Sequence, residues 1–282
     1  MKTLKKVGDV IKDNFLQILE LVIAVLAAIL VPKFGFYLFK MNQYPGGFFD
    51  FILTMLLFMQ KKCPLVVGIA IIIITVVIFH LSINKDKVMC RGNAYHNYPY
   101  FWYVICAKIL GFKKCNIVLV PVYLQVRLMI NEVFDTYYIN EYEVSMSDLI
   151  PKVDFEYKVS EYNELNNNNK FNIVIADTYP IKEDQIPDSL KGLHTYMIYR
   201  LDEDNKTRLY SPKFVDEINQ IVRKLPNGSS AYFYMSTNPV NTKMIAEKVI
   251  KQANRGNLEH AYVLRQEDAK NNWKFTKAFE MY

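Results

Sequence analysis

The stretch Leu65–Ile83, LVVGIAIIIITVVIFHLSI, runs for 19 residues with no formal charge beyond the one His80 can carry. That length matches the hydrocarbon thickness of a bilayer, so the segment reads as a transmembrane helix. A second apolar run, residues 15–39, contains LVIAVLAAILV, then Pro32-Lys33 and FGFYLF. With Glu20 near one interface and Lys33 snorkelling toward the other, it reads as a second span with a kink or end at Pro32. It has no small-residue cleavage site and is long for a signal peptide, so it is expected to be retained. Between the two, the apolar part of residues 48–59 is too short to cross and carries Asp50, which predicts an interfacial or re-entrant helix. Asp50 and His80 are read as interface residues rather than as an ion path.

Two crossings leave both tails on one side. Lys2, Lys5, Lys6 and Lys12 precede the first span and Lys85, Lys87 and Arg91 follow the second, which favours the cytoplasm. Lys61 and Lys62 count the other way, and a third crossing would export the C-terminal part. The net charge of +6 lies entirely in residues 1–95, where eleven Lys or Arg face five acids; residues 96–282 balance. Charge therefore argues against a long nucleic acid as partner of the C-terminal part. Cys63, Cys90, Cys106 and Cys115 form no C-x-x-C pair, and His80, His96, His194 and His260 are scattered, so no metal site, disulfide framework or cofactor is expected.

The chain divides into a transmembrane region (1–90), a membrane-proximal aromatic connector (91–115), whose RGNAYHNYPYFWYVICAKILGFKKC suits a headgroup-level belt, and a C-terminal domain (116–282). In that domain NIVLVPV reads as a strand, and YLQVRLMINEVF fits a helix or a strand equally. NELNNNNK reads as a surface loop. Then FNIVIAD and HTYMIYRL alternate as strands with SPKFVDEINQIVRKLPNG, a helix capped by Ser211 with Pro212 at its first position. SAYFYM, a helix from Pro239, and LEHAYVLRQ as the last strand complete the pattern. The fold class is α/β: a two-helix transmembrane region plus a Rossmann-like cytosolic domain, a mostly parallel sheet with helices on its faces.

In such sheets ligands bind beyond the carboxyl ends of the strands. Two corners qualify, ADTYP after NIVI and STNPVNT after YFYM. Asn238 is an N-cap and Pro239 opens the helix, so unpaired N–H groups at a positive helix end are expected beside short hydroxyl and amide side chains. The candidate ligand-binding residues are Asp177, Thr178, Tyr179, Ser236, Thr237, Asn238, Asn241, Thr242 and Lys243. Capping and turn formation account for the same residue types without any ligand. VIADTYP and YMSTN resemble, in order, two motifs of haloacid-dehalogenase-type phosphohydrolases. That family needs a second acid two positions after its nucleophile, where this chain has Tyr179, and no Walker, Gly-x-Gly-x-x-Gly or Gly-x-Ser-x-Gly motif is present, so no catalytic residue is assigned.

The plan of two membrane helices, an aromatic connector and a Rossmann-like domain with these two corners resembles bacterial membrane effectors of antiphage signalling, which carry a CRISPR-associated Rossmann-fold sensor or a relative of it. The resemblance lies in the plan of the whole chain rather than in a residue motif. It implies a homo-oligomeric inner-membrane protein with a cytoplasmic sensor that binds a nucleotide second messenger, cyclic oligonucleotide or NAD-derived, against strand-end loops at a homodimer interface. It also implies helices that contact lipid and perturb or permeabilise the membrane. Two alternatives stay open: a membrane-anchored phosphohydrolase or nucleotide-processing enzyme, and a membrane scaffold that binds a protein partner.

Overall fold

The computed structural model describes residues 15–40, 64–91, 95–139, 157–164, 169–200, 210–254, 256–267 and 269–282. The expected helix at 48–59, Asp50, Lys61, Lys62 and most of the Asn run lie outside them. The chain forms two compact units, Met1–Met89 with Phe101–Lys114, and Cys90–Tyr100 with Cys115–Tyr282. The 91–115 segment is thus shared between them.

In the first unit, helix α1 (Phe15–Lys40) continues through Pro32 without ending there. One proline removes one backbone bond, and a helix held on either side of it can continue, so of the kink or end expected at Pro32 the end does not occur. Helix α2 (Pro64–Ile78) extends as a π-helical turn to Ile83. Among the described residues Leu65–Ile83 is the one helix long and apolar enough to cross a membrane, with mean hydropathy 2.9; the apolar part of α1 so described, Phe15–Leu30, is shorter. Leu26, Ile29 and Leu30 of α1 and Ile69, Ile73 and Ile74 of α2 are exposed, as a lipid-facing surface requires.

The two helices pack together, and their ends fix their sense. Glu20, near the start of α1 and only 6% exposed, accepts hydrogen bonds from Asn84 Nδ2 (2.7 Å) and Lys87 Nζ (3.2 Å), both just past the end of α2. The pair therefore runs antiparallel. Glu20→Ala is expected to lower the melting temperature of the detergent-purified protein, because it leaves a buried amide and a lysine without their carboxylate, a cost of about 1–3 kcal/mol; Glu20→Gln should lose less. Equal melting of all three would remove this clasp from the account of the helix pair. Helix α3 (Tyr100–Val104) continues as a π-helical segment to Ile109.

The second unit begins where the expected NIVLVPV strand fails. Its short strands are β3 (Thr136–Tyr138) and the end of β2 (Lys114–Asn116); β1 (Val88–Met89) lies in the first unit. Beyond Asn116 the chain turns, with Val118 N–H held by Asn116 Oδ1 at 3.0 Å. The ambiguous segment after it is a helix, α4 (Val122–Ile130), buried on most sides, which is why its apolar pattern shows no clear face.

The main sheet contains β4 (Tyr157–Tyr162), β5 (Lys170–Ala176), β6 (His194–Arg200), β7 (Ser229–Ser236), β8 (Leu258–Gln266) and β9 (Phe275–Glu280), in spatial order β4-β6-β5-β7-β8-β9. The four central strands are parallel, and both edges, β4 and β9, pair antiparallel. The sheet is mixed rather than mostly parallel. LEHAYVLRQ is not the last strand, and both edges escape a reading built on apolar runs because so much of them stays wet: β4 has only half-buried and exposed residues, and β9 buries Phe275 alone.

Helix α5 (Pro212–Lys224) starts at its Ser211 cap and α6 (Pro239–Ile245) at Asn238, as the capping grammar predicts. Helix α6 continues through a π-helical turn to Ala253 and packs against α4 and α5. Strand alternation sends Val174, Ala176, Tyr234 and Leu264 into a cluster with Ile181, Ile186 and Phe275. The expectation of helices on the sheet's faces is corrected here: the 177–193 segment, which has no α-helix and one short 3-10 turn at Glu183–Gln185, covers this face. Its anchors Ile181 and Ile186 each bury a side chain worth about 1.5–3 kcal/mol. Those anchors hold the loop that bears the first candidate corner.

Candidate functional site

Strands β5 and β7 are neighbours, and Ala176 stands opposite Ser236. From β5 the chain goes to β6 on one side, and later reaches β7 on the other. The order reverses between them, which is where open sheets with parallel strands place ligands. Both candidate corners leave from this point. They are tied together through Ser236, whose carbonyl accepts Asp177 N–H (3.0 Å), Thr178 N–H (2.9 Å) and Thr178 Oγ1 (3.1 Å) and whose hydroxyl accepts Tyr179 N–H (3.0 Å).

The start of α6 completes the junction. Asn238 Oδ1 accepts Asn241 N–H (2.9 Å), and Thr242 Oγ1 donates to Asn238 O (2.8 Å) and lies 2.7 Å from Thr237 Oγ1. Asp177 reaches across: its Oδ2 accepts Asn241 Nδ2 (2.8 Å) and Asn238 Nδ2 (3.0 Å), with Asn238 N at 3.5 Å, and its Oδ1 accepts the Tyr157 hydroxyl (3.4 Å). Asn241 Oδ1 in turn accepts Ser211 N–H at the start of α5 (3.2 Å). One carboxylate thus joins β4, the end of β5 and the starts of two helices.

Sequence reasoning places unpaired N–H groups here, and the structure corrects that. The anion at this helix start is the chain's own Asp177, only 2% exposed, while Ser236, Thr237, Asn238, Asn241 and Thr242 are also buried. Burial raises the Asp177 carboxyl above its ordinary value, opposed by the bonds from Asn241 and Asn238, the charge of Arg200 and the bond from Tyr157. A phosphate at this spot would face a buried carboxyl group already holding the donors it needs. Lys243 pairs with Glu247 at 3.8 Å along the helix. Of the nine candidates, Tyr179 is the one that stands open, at 66% exposure.

Tyr179 opens onto a cleft of about 660 Å³, a size that suits a small-molecule ligand. Pro180, Lys182, Asp184 and Gln185 line it from the 177–193 segment, Gln266 from the end of β8, and Asn272 and Trp273 from the β8–β9 connection. Gln185 Oε1 accepts Lys182 N–H (2.8 Å), and Gln185 Nε2 donates to Asn272 O (3.4 Å), bridging the two walls. Asn272 and Trp273 hold φ of 52° and 56°, a left-handed conformation that asparagine tolerates and a bulky tryptophan rarely adopts. Sequence reasoning missed this second wall. Its signal was a tryptophan within QEDAKNNWK, a polar turn with no apolar pattern to bury it.

Among the described residues no three His, Cys, Asp or Glu side chains converge as metal ligands. Asp177, the position of the nucleophile in the phosphohydrolase comparison, has both oxygens against protein donors.

Among solved structures, the chain is similar to the Acinetobacter baumannii Cap4 SAVED/CARF-domain containing receptor with the cyclic trinucleotide 3'3'3'-cAAA, at 11% identity and TM-score 0.43, over 64% of this chain and 42% of that one. The same receptor with 2'3'3'-cAAA matches at 10% identity and TM-score 0.41, over 64% and 41%. The chain spans under half the length of these structures. A search of curated proteins finds no match. The model of one family covers nearly the whole sequence, residues 6–281, in line with the resemblance to membrane effectors, and the chain belongs to that family, the SMODS- and Ubiquitin system-associated 2TM effector domain.

Proposed function

We propose that this chain is a bacterial inner-membrane effector whose C-terminal α/β unit, on the cytoplasmic side, senses a nucleotide-derived second messenger. In this reading copies of the chain assemble, and messenger binding shifts the packing of their membrane helices so that the bilayer is perturbed or permeabilised. The observation that carries it is the meeting of two strand-end corners at the order reversal of the sheet, beside an open cleft, in a chain of a 2TM effector family. The Asp177 junction gives the coupling a physical route. The 177–193 segment is bonded through Ser236 and Asp177 to the start of α6, so a ligand that moves the segment also biases the helix layer.

A thermal-shift screen of the detergent-purified full chain against 3'3'3'-cAAA, cyclic dinucleotides and NAD-derived messengers tests this. At about 100-fold over Kd the cognate messenger is expected to raise the melting temperature by roughly 5 °C or more. It should also depolarise membranes of cells that express the chain. Consumption of the nucleotide instead would turn the reading to a membrane-anchored enzyme, and no shift with any nucleotide would turn it to a scaffold for a protein partner.

A further inference from the structure

We infer that the cleft between residues 179–185 and the β8–β9 connection is a nucleobase subsite, in which Tyr179 and Trp273 provide the stacking surfaces. This deepens the messenger reading and rests on it. Both rings line the same cleft, and both are more than half exposed, at 66% and 51%. A large aromatic ring left in water at the mouth of a cleft is a surface awaiting a flat partner, and every base has a face that stacks on such a ring.

The polar groups suit the edge of a base. The amide of Gln266 offers a donor pair and an acceptor, the pattern that reads a base edge, while Gln185, whose amide bonds Lys182 N–H and Asn272 O, holds the two walls together. Lys182 and Asp184 nearly cancel in charge, which fits a neutral heterocycle inside, with a single phosphate reached by Lys182 at the rim, better than a polyanion held throughout. The backbone points the same way. Trp273 holds φ of 56° although a glycine there would be free of strain, and bulky residues kept in such a conformation concentrate at functional sites. The turn at Asn272–Trp273 aims a ring into the cleft that a relaxed sequence would not supply.

The site lies apart from the Asp177 junction, which contributes Tyr179 its backbone anchor, Tyr179 N–H to Ser236 Oγ at 3.0 Å, and no open group of its own. Ligand occupancy therefore registers on the same segment that Ser236 and Asp177 tie to α6.

The test uses the full chain in detergent and nucleotide binding by titration calorimetry with 3'3'3'-cAAA, cyclic di-AMP, cyclic di-GMP and NAD. Tyr179→Ala and Trp273→Ala are expected to weaken the nucleotide that binds by tenfold or more each, and Trp273→Phe by much less. Trp273→Gly supplies a readout that a merely structural tryptophan would not give: melting temperature equal to or above that of the unsubstituted chain, with binding lost to the same degree as in Trp273→Ala. If a nucleotide binds and both alanine variants bind it unchanged, the base subsite is wrong while the messenger reading stands. If none of the four binds the unsubstituted chain, the messenger reading and the subsite fall together.

Discussion

Asp177→Ala is expected to lower the stability of the C-terminal unit by about 3 kcal/mol, the cost of leaving the buried amides of Asn238 and Asn241 without their acceptor at about 1–3 kcal/mol each, less what is gained by removing a desolvated carboxyl. Asp177→Asn is expected to lose far less. Its amide oxygen can accept from the two asparagines while its NH2 donates to the Tyr157 hydroxyl oxygen, so the same four segments stay joined. The pair of variants also separates shape from charge through pH. Because burial raises the folded-state carboxyl pKa above the ordinary 3.8, the native state binds the proton more tightly than the unfolded chain. The contribution of Asp177 is then fully present below 3.8 and declines as pH rises through the raised value. Relative to Asp177→Asn, the unsubstituted chain should lose stability over that window and level off above it. Chemical denaturation of both chains across that range checks the slope. A parallel pH dependence, or an alanine variant as stable as the asparagine one, would show that the junction does not hold these segments together.

Gly111→Ala is expected to disrupt the membrane-side unit by roughly 2–5 kcal/mol, the sum of a left-handed backbone penalty and local overpacking. Gly111 holds φ of +82°, and a Cβ built on it would lie 2.5 Å from His80 Cα and 2.6 Å from His80 O. Those atoms are backbone at the end of α2, where His80 Nδ1 also lies 3.3 Å from Ile109 O and Asn84 Nδ2 donates to Leu110 O at 2.9 Å. A side-chain rotation cannot relieve such a contact, so the 109–112 turn must leave the helix. Gly68→Ala, in the same helix with nothing within 4 Å of the added carbon, is the matched control and is expected to melt as the unsubstituted chain does or slightly higher. Thermal melting and detergent size-exclusion profiles of the two variants decide the matter; equal behaviour would mean that the 101–114 segment does not seat on α2 at Gly111.

Much of the architecture was legible along the chain because local rules govern it. Leu65–Ile83 has the length and lack of charge of a span, Ser211-Pro212 and Asn238-Pro239 open helices because their side chains and rings satisfy the first turn, and the central strands β5 and β7 are largely buried on both faces. The edge strands were not legible, since β4 buries none of its residues, leaves Lys158, Val159 and Glu161 exposed, and reads as polar loop. Glu20 could be placed near an interface by its position, but its partners Asn84 and Lys87 lie more than sixty residues away and meet it only because the helix pair runs antiparallel.

The candidate site divides along the same line. Sequence alone determined that two corners rich in Asp, Ser, Thr and Asn follow strands and that one of them starts a helix, because strand runs, caps and prolines act over a few residues. Only tertiary structure decided that Asp177 reaches the helix start where sequence reasoning expected an outside anion, and that Tyr179, Trp273 and Lys182 share a cleft. Those meetings depend on which strands become neighbours and on how the β8–β9 connection returns, which is set by the packing of the whole sheet and by no short stretch of chain.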